Sequence, residues 1–229
     1  MDTTADGDLD TFIRTRHSMQ TVAEHVLSAA LHAATGRIGL RRTPGGFGTP
    51  PFPSPDGERH VRVSGSDLVV TDDRGERAMP ISTVRELAAF AGTEPGAPTD
   101  VYTPTTPLEL DAALEVDEAA ARRLADWYAL VEVALARFRD ELADRDPSIA
   151  QLWPEHFDLA LTVDGVNYGG SPGDGGIAGP YLYVGPHELP PPAGDYWNES
   201  FGASLTADDS TTVDAAHAFL REGRSLLSS

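Results

Sequence analysis

Seven apolar residues follow Asp117 at spacings of three and four: Leu124, Trp127, Tyr128, Val131, Leu135, Phe138 and Leu142. They trace one stripe over five helical turns, a pattern that only an amphipathic α-helix with one buried face satisfies. Arg122 with Asp126 and Arg137 with Glu141 stand at i,i+4 on the other faces, suited to surface ion pairs. A helix this apolar along one side needs a surface to pack on, and the rest of the chain offers strands.

The period changes from 3.6 to 2 in several places. Segments 37–41 (RIGLR) and 59–63 (RHVRV) alternate, and 67–71 (DLVVT) is short and β-branched. The connecting segment TPGGFGTPPFPSPDG and a turn at 73–76 make this an expected antiparallel meander. In 157–163, Phe157, Leu159, Leu161 and Val163 alternate with polar or small residues, which predicts a strand with one buried face. Asp164-Gly165 then predicts a tight hairpin turn, followed by the glycine-rich loop 167–176 (NYGGSPGDGG) and a strand at 181–184. Residues 196–205 suggest a last strand.

Helices are expected at both ends. Met19, Val22, Val26, Ala29 and Ala33 give a helical pattern over 11–35, stopped by Gly36. Residues from Thr211 to about Leu227 read as a closing helix, and Thr83 with Glu86 form a capping box for a short one. The expected fold is α+β: a mostly antiparallel sheet packed against a long central amphipathic helix, with N- and C-terminal helices. Residues 1–10 (MDTTADGDLD) read as a disordered acidic tail. Residues 11–229 read as a single domain with a shared interior, in which the Pro/Thr-rich segment 92–116 is either a surface connection or a tether between two β-rich halves.

Composition narrows the chemistry. All 17 basic residues are arginine, so lysine Schiff bases, a Walker lysine and lysine general bases are excluded. The absence of cysteine excludes thiolate nucleophiles, disulfides and cysteine-ligated metal centres. A formal charge of -19 opposes nucleic acid and anionic lipid as partners. With no signal pattern and no apolar run long enough to span a bilayer, the expected setting is the cytoplasm.

The segments TRHSMQTVAEHVL (15–27), RTPGGFGTP (42–50), QLWPEHFDLAL (151–161), NYGGSPGD (167–174), PYLYVGP (180–186) and YWNESFGA (196–203) resemble an uncharacterised protein family of high-GC Gram-positive bacteria. The order of elements is also similar to a second bacterial domain of unknown function. The resemblance implies one folded unit over most of 11–227. It brings no activity, ligand or catalytic residue with it.

Three constellations are candidates for function. Trp153-Pro154-Glu155-His156-Phe157-Asp158 gathers two acids and an imidazole beside bulky rings. In an extended segment His156 and Asp158 share a side, so the carboxylate would orient a general base, with Glu155 as a further acid–base group. The alternative is structural, with Trp153 and Phe157 as anchors. The second is a polar stripe of Ser18, Thr21, His25, Ser28 and His32 on the first helix, with Glu24 beside it. His25 and His32 would line a pocket, although a solvated face is the simpler reading. The third is the glycine-rich loop, which lacks phosphate-loop spacing and carries Asp174, so a hairpin tip is favoured over an anion cradle. Candidate ligand-binding residues are therefore His25, His32, Trp153, Asn167 and Tyr168. No metal site and no cofactor are expected. The functional expectation is a cytoplasmic ligand-binding or interaction protein without catalysis. The alternative is a small-molecule hydrolase, with a metal-assisted version among its forms, using His156 with Glu155 or Asp158.

Overall fold

A computed structural model of the chain describes residues 3–55, 57–208 and 210–227. They are α+β, with helices and two antiparallel sheets. They form two compact units. The first contains the chain up to Asp126 together with Leu152–Phe157, and the second contains Trp127–Gln151 and the chain from Asp158 onward. The division falls within a helix, and segment 92–116 belongs wholly to the first unit.

In the first unit, helix α1 (Thr3–Val22) passes through one wide π turn (Ala23–Leu27) into α2 (Ser28–Thr35). The helix thus begins within the segment read as a disordered tail. Gly36 ends it in the left-handed conformation at φ 71°, as its position after the apolar pattern required. The sheet contains β1 (Arg41–Thr43), β2 (Gly46–Gly48), β3 (Phe52–Ser54), β4 (Gly57–Ser64), β5 (Asp67–Asp72) and β6 (Gly75–Pro80). It runs β1-β2-β4-β5-β6, with β3 also paired to β4. Phe47, Val61, Val63, Leu68 and Val70 form its buried side.

Two strands lie where the sequence suggested a loop. A Cβ on Gly46 would stand 2.5 Å from the Val63 carbonyl oxygen, and one on Gly48 would stand 2.5 Å from Arg62 Cβ. Glycine here permits a close strand approach, which a propensity-based reading registers as a break. The alternation at 37–41 marks burial rather than a strand: Ile38 and Leu40 are buried, and Leu40 only bridges Leu152. Helix α3 (Val84–Ala91) starts as expected, with the Glu86 N–H donating to Thr83 Oγ1. Segment 92–116 has no regular structure and lies as a strap in this unit.

Helix α4 (Glu118–Glu141) starts where Asp117 Oδ1 accepts from the Ala119 and Ala120 N–H groups, both at 2.9 Å. Its residues from Trp127 belong to the second unit, whose sheet runs β11 (Ala203–Thr206), β10 (Tyr181–Pro186), β9 (Val166–Ser171), β8 (Asp158–Val163). Trp127, Tyr128, Val131, Leu135 and Phe138 are all buried, as the stripe required, whereas Leu142 lies past the helix end and is half-buried. Gly170 of β9 lets α4 approach: a Cβ there would meet Val131 Cγ2 at 2.5 Å. The closing helix α5 (Val213–Leu227) joins α4 through Arg137–Asp214 and through Glu141 with His217 and Arg221. The expected i,i+4 pairs give way to these contacts, and Arg122 pairs instead with Glu118. Asp164 and Gly165 both adopt positive φ, forming the expected hairpin turn, and Arg145 and Arg224 both reach the Asp164 carboxylate.

Candidate functional site

The polar stripe on the first helix faces inward. Ser18, Thr21, Glu24, His25 and Ser28 are all buried, which replaces the expected solvated face. Buried polar groups need partners, and the strap supplies them. Glu24 Oε1 accepts from the Thr105 N–H at 2.7 Å. Its Oε2 accepts from the Thr106 N–H at 2.8 Å and from the Thr106 hydroxyl. The Ala97 N–H donates to His25 Nδ1 at 3.1 Å, so Nε2 holds the proton and donates to the Thr106 carbonyl at 3.0 Å. The His25 carbonyl accepts from the Gly96 N–H. Glu24 and His25, consecutive in the π turn, both bond to the strap.

With both carboxylate oxygens and both ring nitrogens engaged, the pair is a clamp rather than an acid–base couple. Tyr102 joins it, its hydroxyl 3.4 Å from Ser28 Oγ, and burial pushes the phenol pKa up. His32 lies apart, half-exposed with Nε2 3.8 Å from an Asp100 oxygen, so the two histidines share no site.

Segment 153–158 is not extended. Trp153 ends β7 (Gln151–Trp153), half-buried, and 154–157 form a turn. Phe157 takes the left-handed conformation at φ 53°, unusual for a bulky residue. It is buried edge-on against Phe47 at 5.1 Å. That turn removes the alternation on which a His156–Asp158 couple rests. His156 is exposed. Glu155 acts through its backbone, its carbonyl accepting from Gln20 Nε2 at 3.2 Å and Thr105 Oγ1 at 2.6 Å.

Asp158 belongs to the second unit, buried and accepting from the Tyr183 hydroxyl. Burial first, and the Asp158 charge second, push the Tyr183 phenol well above its usual value, so it remains a donor. A parallel pair stands beside it: Tyr181 donates to Asp174 Oδ2 at 2.6 Å, its pKa raised chiefly by burial. The rows Ala160–Gly169–Tyr183 and Ser171–Tyr181 put both phenols on one sheet face, and the Tyr183 ring lies over Gly169. No sequence spacing joins Asp158 to Tyr183; only strand register does.

Asp174 also settles the glycine-rich loop. Its Oδ1 accepts from the Gly176 N–H at 2.6 Å and the Ile177 N–H at 2.8 Å, so these amides hold the loop's own carboxylate. Asn167 and Tyr168, adjacent on β9, face opposite sides. Asn167 Oδ1 accepts from the Thr162 hydroxyl at 2.7 Å and lies 3.0 Å from His187 Nε2. Tyr168 is buried against Phe138 at 4.6 Å. Among the described residues no group of three or more metal-ligating side chains is assembled.

Two cavities lie in the first unit among its described residues: the sequence expected a pocket at His25, but not the second of them. One, of about 460 Å³, lies under the strap between His25, Ala97 and Pro104–Leu108. The other, of about 390 Å³, is a cleft with three walls. Ala30, Ala33 and Ala34 of the first helix form one, Phe52 and Pro53 of β3 with Arg59 of β4 the second, and Ala91, Gly92 and Thr93 the third. The signal for the cleft was a run of alanines one helical turn apart, a pattern that also describes ordinary helix packing.

Comparison with protein-family models, curated proteins and solved structures finds no match to this chain.

Proposed function

We propose that this protein is a binding module without catalysis, and that its ligand is a small, largely apolar organic molecule held in the alanine-walled cleft. The cleft is the observation that supports this reading. Its volume of about 390 Å³ lies in the range of small-molecule sites, and its walls combine alanine, proline, phenylalanine and glycine with the polar residues Ser54, Arg59 and Thr93. The absence of catalysis is supported by the state of the nominated groups: Asp158 is bound by Tyr183, and His156 stands on an exposed turn. The charge of -19 argues against nucleic acid as the ligand, and among the described residues no helix is long and apolar enough to cross a membrane.

The test is thermal unfolding with hexanol, cyclohexanol and toluene, on the wild type and on Ala33→Phe. Ala33 is an exposed residue of the cleft wall, so a ring there fills the cleft without entering the core. A ligand that binds the folded state raises Tm. The wild type should respond to at least one probe and the variant to none. No response from either protein, or equal responses from both, would refute the assignment of this cleft.

A further inference from the structure

We infer that the outer face of the first unit's sheet binds a phosphate group, free or as a monoester, in a glycine-floored trough over β2 flanked by Arg41, Thr43 and Arg62. This goes beyond the cleft, whose Phe52 and Arg59 project from the other face of the sheet. The trough follows from register. Arg41, Gly48 and Arg62 form one row across β1, β2 and β4, and Thr43, Gly46 and Ser64 form the next. Residues directly opposite in antiparallel strands project to the same side, as do residues two apart along a strand. The intervening Arg42, Phe47 and Val63 therefore point to the core side, where Phe47 and Val63 are buried. On the outer side β2 presents only glycine. The arginines and hydroxyls stand on β1 and β4, two strand spacings or roughly 10 Å apart.

Two observations beyond the glycines point to a ligand. Thr43 is 4% exposed, and its Oγ1 has no hydrogen-bond partner among the described residues. A hydroxyl taken out of water needs another partner. His60, two residues before Arg62 on the same face, has a buried Nε2 that is likewise unpartnered. Burial first, then Arg41 and then Arg62 lower its pKa, against a smaller opposite effect of Glu76. Positive charge therefore predominates around His60. Arg41 is exposed and makes no ion pair among the described residues. Arg62 donates to Glu76 at 3.2 Å through Nη2, one of five guanidinium donors, which fixes its position. The acids of this face, Asp67 and Glu76, stand on β5 and β6, beyond β4 from the trough. Guanidinium forks and a hydroxyl are the donors that suit phosphate oxygens. Composition agrees: segment 37–85 carries eight arginines against six acids, leaving nine against thirty elsewhere.

The test is calorimetric titration with inorganic phosphate and with glycerol phosphate, near neutral pH and at constant ionic strength, on the wild type, Arg41→Gln and Thr43→Val. The wild type should bind at least one probe. Binding of both shows that the phosphate group suffices, and binding of the ester alone identifies a monoester as the ligand. Each variant should lose roughly tenfold in affinity. Thr43→Val keeps the shape and removes an unbonded hydroxyl, so its Tm should equal or exceed that of the wild type, whereas a threonine with a purely structural role would lower it. No binding of either probe to the wild type overturns the inference. Unchanged affinity in either folded variant also overturns it. Arg41 is on the surface, so Arg41→Gln decides the matter even where Thr43→Val fails to fold.

Discussion

Glu24 is a fully buried acid accepting three hydrogen bonds from the strap, and it gains nothing from solvent. Replacing it with glutamine keeps the shape but offers one acceptor oxygen and brings two N–H donors toward backbone donors. Hydrogen bonds to charged groups contribute about 1.5–3 kcal/mol each, and a mismatched buried donor adds a penalty. Glu24→Gln should therefore destabilise the protein by roughly 2–4 kcal/mol in urea unfolding. A change below about 0.5 kcal/mol would mean that the strap does not depend on this carboxylate. Asp72 gives a pH prediction. The Arg74 N–H first, and then the Arg77 guanidinium, hold its carboxyl below the usual carboxylate value of 3.8. Its contribution to stability is fully present above that value and is lost as pH falls through the lower folded one. Urea midpoints taken from neutral pH down to about pH 2 should fall less steeply for Asp72→Asn than for the wild type. Parallel acid limbs would remove Asp72 from the account. Asp72 finds its partners within five residues, whereas Glu24 lies 81 positions from Thr105, a separation no local pattern spans.

Elements with strong local signals were legible. The α4 stripe, the Thr83–Glu86 cap, Gly36 and the Asp164–Gly165 turn all follow from periodicity and backbone chemistry within a few residues. Elements defined by close approach were not. Strand β6 has no alternation and is held by its ladder to β5, while β2 is built from glycines that read as a loop. The paired glycines of β9 belong to the same class: Gly169 admits the Tyr183 ring and Gly170 admits α4. Gly170→Ala should destabilise by about 1–3 kcal/mol, because the new methyl meets the buried, stiff Val131 side chain at 2.5 Å. Adding Val131→Ala should cost less in the Gly170→Ala background than in the wild type. Additive effects in that double-mutant cycle would show that the contact is not what the glycine is for.

At the scale of the whole molecule, charge is the property read directly from composition. A formal charge of -19 means that like-charge repulsion opposes compactness, whereas the surface ion pairs each contribute little. Raising NaCl from about 10 mM to about 0.5 M should raise Tm, because screening relieves the larger effect. A falling Tm would assign the balance to the arginine–carboxylate pairs instead. The amino-acid sequence by itself determined the α+β class, the central helix and its buried stripe, the principal turns and the chemistries ruled out by missing lysine and cysteine. These depend on composition and on contacts within a turn or two of chain. Only the tertiary structure decided that the first helix turns its polar stripe inward, that Asp158 answers to Tyr183 rather than His156, and that Arg59 stands beside Phe52 in a cleft. Each joins residues through strand register, a π turn or a left-handed phenylalanine, and such geometry is set by packing between segments distant in the chain.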